Sequence, residues 1–597
     1  MTVRKTKIVC TLGPTASEEP VLSALLRAGM NVARFNMAHG THEYHAAMIQ
    51  RLREASGTTG IPAALLIDIK GPEVRTGEVA GGATVQLRTA SEVTVTVDDA
   101  PCTSEVVSIS YVDLPEQAAA GMHILIADGL IDLEVLEVRQ RRTRCVVRTG
   151  GELGSHKNVN LIGIRSRLPA VTAKDVENLK FAVRNGMDFA AASFVRKPED
   201  ILEIRQMLLA EGSHMHIIAK IEDGEGLENI DEIIRVADGI MIARGDLGVQ
   251  LPTEQMPLVQ KRIILKCHDQ NKAVITATQM LDSMIHNPRP TRAEATDVAN
   301  AIFDGSDAVM LSGETASGLY PVEAVRVMDS IACTVEDSPE YESRVRRFFK
   351  LDESGEDIAQ AVTRSAFLVA REISAAAIVT PTLRGNTPRM MSKYRPSQPI
   401  IAVTPDEAIN RRLLLYWGVY PLLCEIADSS DDMVNNALAA ALKKGLLKNF
   451  DKVVIVAGVP VHSPIMLNTI KVHFIGNVLG KGERGFGGWR SGKIVKVLDA
   501  LDAELRLKHD DSEILLTRFL TPDFQPLLTG LRGIILEENT YLSYEQIRSG
   551  TPDIASIGSV PNAMAIFEDG LTVTLHGDER VIYEGILPTP SPAPPSP

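Results

Sequence analysis

The sequence predicts an α/β fold centred on a TIM-type (β/α)8 barrel, with an inserted β-barrel lid domain, an α/β C-terminal domain and an extra small swivelling-type α/β domain. Three observations carry that reading. Short apolar runs of strand length alternate eight times with longer segments of helical period. Polar side chains gather at the C-terminal ends of successive runs. The connection after the third run is too long and too rich in β-formers to be a helical crossover.

The eight runs are residues 7–12 (KIVCTL), 31–37 (NVARFNM), 63–69 (AALLIDI), 189–195 (FAAASFV), 217–222 (IIAKIE), 239–244 (GIMIAR), 273–278 (AVITAT) and 308–312 (AVMLS). Six of the seven connections between them have the length of a helical crossover. An open doubly wound sheet would show the same alternation. The strand ends favour the barrel. They carry Arg34 and Asn36, Asp68 and Lys70, Lys220 and Glu222, Arg244 and Asp246, Thr276 and Thr278, Ser312 and Glu314. Barrel enzymes build their sites on that face, whereas solvent contact alone would not select six such pairs in succession.

The barrel is thus assigned residues 1–70 and 169–343, and the β insertion residues 71–168, with strands in TVQLRT, EVTVTV, EVVSIS, HILIAD, LIDLEVLEV and TRCVVRT. An insertion at the barrel mouth suits a lid that excludes water, although loops also tolerate passive insertions. Residues 344–478 return to an α/β pattern, with strands in AAAIVTP, PIIAVTP, KVVIVAGVP and KVHFIG. The Gly-rich GKGERGFGGWRSGK from Gly480 reads as a linker or domain entrance. Residues 480–586 form a fourth domain of short strands, and the Pro-rich 587–597 a disordered tail.

Hydrophobic residues make up 45% and charged residues 23% of the chain, ordinary values for globular domains with normal cores. The net charge of −14 argues against nucleic acid as a partner, so an anionic substrate needs a local Lys/Arg cluster. The six cysteines form no CxxC pair, which points away from zinc and disulfides and towards a reducing, cytoplasmic setting. The N-terminus shows no signal h-region, and no apolar run reaches membrane-span length.

Side chains at i and i+2 of a strand share a face, so Lys220 and Glu222 point into one region. Asp246, just past the next strand, is a plausible neighbour of Glu222. Two carboxylates suit Mg²⁺, which fills the rest of its shell with waters and substrate oxygens. A Lys beside them and Arg34 from another strand can neutralise a phosphoryl group in transfer. A lone KxE is more simply a salt bridge; the combination across several strand ends is what points to chemistry.

The motifs KTKIVCTLGP, GMNVARFNMAHG, DIKGPEVRTG, AKIEDGEG, MIARGDLGVQLP, ITATQMLDSM, PRPTRAEATDVANAIFDGSDAVMLSGETASG and SKYRP follow one another from Lys5 to about Val478. In this order they resemble the pyruvate kinase family. The resemblance implies Mg²⁺-dependent (or Mn²⁺-dependent) transfer of the phosphoryl group of phosphoenolpyruvate (PEP) to ADP, with K⁺ as a second cation, in a cooperative homotetramer. It implies that Arg34 binds the phosphoryl group and Lys220 stabilises it. Glu222 and Asp246 would hold Mg²⁺, and the backbone of Ala243, Arg244 and Gly245 would meet the PEP carboxylate. Thr278 would position the water that protonates the enolate. Asn36, His39 and Arg75 would contact the nucleotide, while Asn36, Asp68 and the Ile69 carbonyl would hold K⁺. Without the motif, Thr278 is a helix cap, His39 a loop residue, and Asn36 and Asp68 turn-formers.

Several positions depart from the family pattern. Ala38 stands where a Ser hydroxyl serves as a cation ligand, and Ile69 where Thr is common, while Glu73 is the residue type of K⁺-dependent members. K⁺ binding is therefore expected to be weakened or altered. Ala127 replaces the first Asp of a lid DDGLI motif, with Asp128 retained, and Ile162 replaces a Pro. The loop with Thr380, Thr382, Arg384, Gly385, Asn386 and Thr387 resembles the family's site for a phosphorylated activator; a polar turn is the alternative. The fourth domain resembles the phosphohistidine domain of PEP-utilising enzymes. Tyr544 near the His position argues against a carrier and for a structural or assembly role. A catalytically silent metabolite sensor and a PEP-handling lyase or aldolase remain rivals, which pyruvate release and its ADP dependence separate.

Overall fold

The computed structural model describes residues 4–82, 84–348, 358–425, 429–449, 451–458, 467–550 and 553–587. The chain divides into two units: Met1–Leu351 with Leu414–Gly418, and Asp352–Leu413 with Val419–Pro597. The expected tail beyond residue 587 lies outside the described residues. Among those described, no helix is long and apolar enough to cross a membrane.

In the first unit, β1 (Lys7–Thr11), β2 (Val32–Asn36), β3 (Ala64–Ile69), β4 (Phe189–Ala192), β5 (His216–Ile221), β6 (Gly239–Ala243), β7 (Ala273–Ala277) and β8 (Ala308–Leu311) close a parallel barrel in sequence order. Their residues are almost all buried, because a barrel strand packs on both faces; hence the continuous apolar runs rather than alternation. Caps written into the sequence start the surrounding helices. Thr41 accepts from the Tyr44 N–H, and Thr172 with Asp175 and Thr291 with Glu294 form reciprocal capping boxes. Leu414–Gly418, read from sequence as part of the third domain, belongs to this unit. Trp417 is buried there and stacks on Tyr341 (centroids 6.4 Å apart), while the Gly418 N–H donates to the Lys5 carbonyl at 2.9 Å.

The inserted domain contains all six expected strands and two more, Gly151–Leu153 and Val159–Leu161, each too short to show a sequence pattern. Six strands form one sheet and two a separate ladder. The strand order runs from Val159–Leu161 to Val106–Ser108, and residues 74–77 bridge these two ends: the Val159 N–H donates to the Val74 carbonyl (2.8 Å) and the Gly77 N–H to the Ser108 carbonyl (2.9 Å), which closes the sheet as a β-barrel requires. Leu87, Val95, Ile124, Leu133 and Leu153 join both parts in one core.

In the second unit, Val419–Leu423, Ile400–Thr404, Ala377–Pro381 and Lys452–Ala457 are parallel and Thr469–Phe474 is antiparallel. The first of these escaped the sequence reading because Pro421 interrupts it; an edge strand tolerates that residue. The Gly-rich segment is not a linker. It supplies Val478–Lys481, Arg484–Phe486 and Trp489–Lys496 to an eight-stranded mixed sheet. Its glycines answer crowding: a Cβ on Gly485 would lie 2.4 Å from the Gly577 carbonyl oxygen and one on Gly482 2.5 Å from that of Gly558. Val581, Tyr583 and Leu587 share a core with Ala377, Ile401 and Val453 of the five-stranded sheet, so Leu587 belongs to packed structure and not to a tail. Gly485→Ala is expected to cost about 1–3 kcal/mol through overpacking. Thermal unfolding checks this, since a linker glycine would leave the melting temperature unchanged.

Candidate active site

The ends of β2, β3 and β5 bring four charged side chains together, and Ser193, just past β4, joins them. Arg34 donates from Nε to Asp68 Oδ2 (2.7 Å) and from Nη1 to Thr11 Oγ1 (2.8 Å). Lys220 reaches Asp68 Oδ1 (3.2 Å), Glu222 Oε1 (3.0 Å) and Ser193 Oγ (2.6 Å). Arg34 and Lys220 are each 8% exposed, and Asp68 and Glu222 2%. Charges so buried persist only when paired. Burial pushes Asp68 up, but Arg34 and then Lys220 outweigh it and hold its carboxyl below the usual range. Burial works against the Lys220 charge too, and Asp68 and Glu222 more than offset it, so the ammonium is held.

Asp246 lies in the first turn of the helix Arg244–Gln250, directly after β6. Its carboxyl is pushed up to about 7, first by burial and then by the Glu222 charge, with Asp128 of the inserted domain adding to both. Asp246 thus stands beside Glu222, whose other neighbour is the Lys220 ammonium (3.0 Å). No group of three or more potential metal ligands occurs among the described residues.

Thr278 and Gln279 follow β7 with φ of +66° and +55°, a strained conformation for residues with side chains. Arg244 holds that turn: its Nη2 donates to the Thr278 carbonyl (2.8 Å), and its Nη1 pairs with Asp297 (2.7 Å). Thr278 Oγ1 accepts from the Gly245 N–H (2.8 Å) and donates to the Ala277 carbonyl (2.7 Å). It therefore caps the helix after β6, not the segment that follows it. The Gly245 amide expected to meet a substrate carboxylate is engaged by Thr278 instead.

A cleft of about 820 Å³ lies between the inserted domain and the barrel mouth, with Glu73, Arg75, Asp128 and Asn158 on one side and Phe194 and Asp246 on the other. Arg75 pairs with Glu73 (2.6 Å) and donates to the His156 carbonyl (2.8 Å). His39 is exposed on the loop after β2, and Asn36 Oδ1 accepts from the Ala38 N–H (3.1 Å). Among the described residues, no hydrogen bond or ion pair joins Arg75 or His39 to the Lys220 cluster. The two departures in the inserted domain are accommodated. Ala127 keeps its place through an N–H bond to the Asn158 carbonyl (3.1 Å), and Ile162, unlike Pro, donates its N–H to His123 (3.1 Å).

In the second unit, Thr380 is fully buried within a strand and donates to the Ile401 carbonyl (3.4 Å), which removes it from the expected phosphate loop. Thr382 Oγ1 accepts from the Gly385 N–H (2.9 Å) and shapes the turn. Arg384 and Asn386 are exposed and Thr387 half-buried at the start of the helix Asn386–Lys393.

Sequence reasoning missed Ser193, Phe194 and Thr11. Ser193 also donates to Asp68 Oδ1 (3.3 Å), and the Phe194 N–H donates to Glu222 Oε2 (2.6 Å). The signal for Ser193 was its position at the polar end of the fourth run.

A family model described as "Pyruvate kinase, barrel domain" matches residues 3–325, and one described as "Pyruvate kinase, alpha/beta domain" matches residues 360–473. A pyruvate kinase of Geobacillus stearothermophilus is 47% identical over 98% of this chain and 99% of its own length. That of Staphylococcus haemolyticus is 42% identical over the same shares. The crystal structure of a pyruvate kinase from Cryptosporidium parvum superposes with a TM-score of 0.76 at 39% identity, covering 79% of this chain and 96% of that one. The chain therefore belongs to the pyruvate kinase family, whose reaction passes the phosphoryl group of PEP to ADP and yields pyruvate and ATP.

Proposed function

We propose that the cluster of Arg34, Asp68, Lys220 and Glu222 is where the phosphoryl group crosses from PEP to ADP. The carrying observation is Lys220, a buried ammonium aimed into the barrel mouth among three acceptors. A planar phosphoryl group needs charge neutralisation more than covalent help. Lys220 supplies it in the transition state. Arg34 spends Nε and Nη1 on Asp68 and Thr11, leaving Nη2 for a phosphoryl oxygen. Thr278, whose hydroxyl keeps its bond to the Ala277 carbonyl when the Gly245 amide turns to substrate, positions the water that protonates the enolate. Backbone N–H groups of Ala243, Arg244 and Gly245 surround the PEP carboxylate, with Gly245 exchanging Thr278 for substrate. Asn36, His39 and Arg75 face the nucleotide.

Glu222 and Asp246 fit Mg²⁺ or Mn²⁺: two adjacent carboxylates, one pushed up to about 7 by burial and its neighbour, are relieved by a divalent cation that completes its shell with water and substrate. When bound, the cation would offset negative charge on the PEP oxygens. The K⁺ site fits only in part. Asn36 and the Ile69 carbonyl remain, Ala38 offers no side-chain oxygen, and both Asp68 oxygens serve Arg34 and Lys220. We infer weakened or altered K⁺ binding.

The loop with Thr382, Arg384, Gly385, Asn386 and Thr387 is read as an activator site for a phosphorylated metabolite. Homotetramer formation is supported by the edge strand Thr469–Phe474, whose Val472 and Phe474 are exposed. The shared core of the third and fourth domains supports a structural role for the fourth. Unpaired thiols and the glycolytic reaction support a cytoplasmic location.

Pyruvate release from PEP is expected to require ADP, and Lys220→Ala to lower kcat by roughly 10²–10³-fold with little change in KM. ADP-independent release would replace the kinase reading with a lyase or phosphatase. Metal affinity is expected to fall with acidity: protons occupy Asp246 below about 7, so Mn²⁺ binding strengthens as pH rises through 7 and then levels off. Titration from acid to alkaline pH checks this, and Asp246→Asn should abolish the slope. PEP saturation curves should show activity that persists without K⁺, and a leftward shift with a sugar phosphate that Arg384→Ala removes. Strict K⁺ dependence with ordinary saturation contradicts the first expectation, and no shift with any phosphorylated metabolite the second.

A further inference from the structure

We propose that Ser193 and Phe194, the two residues just past β4, are positioning residues that aim Lys220 and fix Glu222. This rests on the reading of Lys220 as the group that stabilises the transferring phosphoryl. An ammonium has three N–H donors. Those of Lys220 meet Asp68 Oδ1 (3.2 Å), Glu222 Oε1 (3.0 Å) and Ser193 Oγ (2.6 Å), so each is spoken for. A phosphoryl oxygen must take the place of one acceptor. Breaking either buried ion pair strands a charge, whereas releasing a neutral hydroxyl costs far less. Ser193 is thus the exchangeable partner, and the N–H it holds is the one that turns to substrate. Its own O–H stays on Asp68 Oδ1 (3.3 Å) throughout.

Phe194 completes the device. Its φ of +54° turns the backbone so that the Phe194 N–H reaches Glu222 Oε2 at 2.6 Å, next to the Ser193 hydroxyl on Lys220. Each Glu222 oxygen then has a defined partner, Lys220 on one and Phe194 on the other. The turn passes close to Gly71, where a Cβ would lie 2.9 Å from the Ser193 carbonyl oxygen and 3.1 Å from its Cβ, so a glycine there leaves it room.

The test is steady-state kinetics on the full chain. Ser193→Ala is expected to lower kcat about tenfold or more while KM for PEP stays within about twofold, because Lys220, no longer aimed before the phosphoryl group takes the place of the hydroxyl, must be reoriented on the way to the transition state. Ser193→Cys, similar in size but a poor acceptor, should show most of the same loss, and it carries the test should the alanine variant fail to fold. In a Lys220→Ala background, Ser193→Ala should cost nothing further. An unchanged kcat in both variants, a rise in KM with kcat intact, or an equal loss with and without Lys220 overturns the proposal. A Lys220→Ala enzyme with undiminished kcat overturns the reading of Lys220 instead.

Discussion

The double ion pair of Asp68 organises this barrel mouth. One carboxylate at the end of β3 holds Arg34 from β2 with one oxygen and Lys220 from β5 with the other. It offsets the desolvation of Arg34 and, together with Glu222, that of Lys220, since an unpaired buried charge costs more than a fold of marginal stability can absorb. Arg34 and Lys220 therefore stand ready, desolvated and aimed, before any substrate arrives. In a low-dielectric site such prearranged charges act far more strongly than the same groups in water.

Ser193, Phe194, Glu222 and Thr278 sit one or two residues beyond their strands, where the backbone departs from regular geometry. Phe194, Thr278 and Gln279 adopt left-handed φ values that a strand could not accommodate. These conformations survive because other groups hold them. Arg244 pins the turn after β7, and Gly71 leaves room for the turn after β4. Rigid strands thus set the distances and strained turns the directions. Arg244, expected to serve through its backbone, acts through its side chain as the brace of the neighbouring turn.

The second unit follows a different logic. Its two sheets bury Val581, Tyr583 and Leu587 together with Ala377 and Val453, and Asn435 donates to Thr572 across the same junction (3.0 Å). An apolar core common to both domains opposes the independent motion that a mobile carrier domain requires. The eight-stranded sheet is thus packed onto the five-stranded sheet through a common core.

By itself the sequence determined the eight barrel strands, the β insertion and the placement of Lys220, Glu222, Asp246 and Arg34 at strand ends, because strand burial and strand-end polarity are local and periodic properties. It did not show Val419–Leu423, the strands Gly151–Leu153 and Val159–Leu161 of the insertion, or the sheet made by the Gly-rich segment. In each case a short or Pro- or Gly-bearing stretch becomes a strand only because a neighbour supplies the hydrogen bonds. Nor did it show that Thr380 is buried, that Thr278 takes the Gly245 amide, or that Ser193 completes the Lys220 cage. Those facts join residues 21 to 33 positions apart through hydrogen bonds between different strands. Only the closed tertiary fold decides such pairings, since their geometry depends on how the barrel and the five-stranded sheet bring their strand ends together.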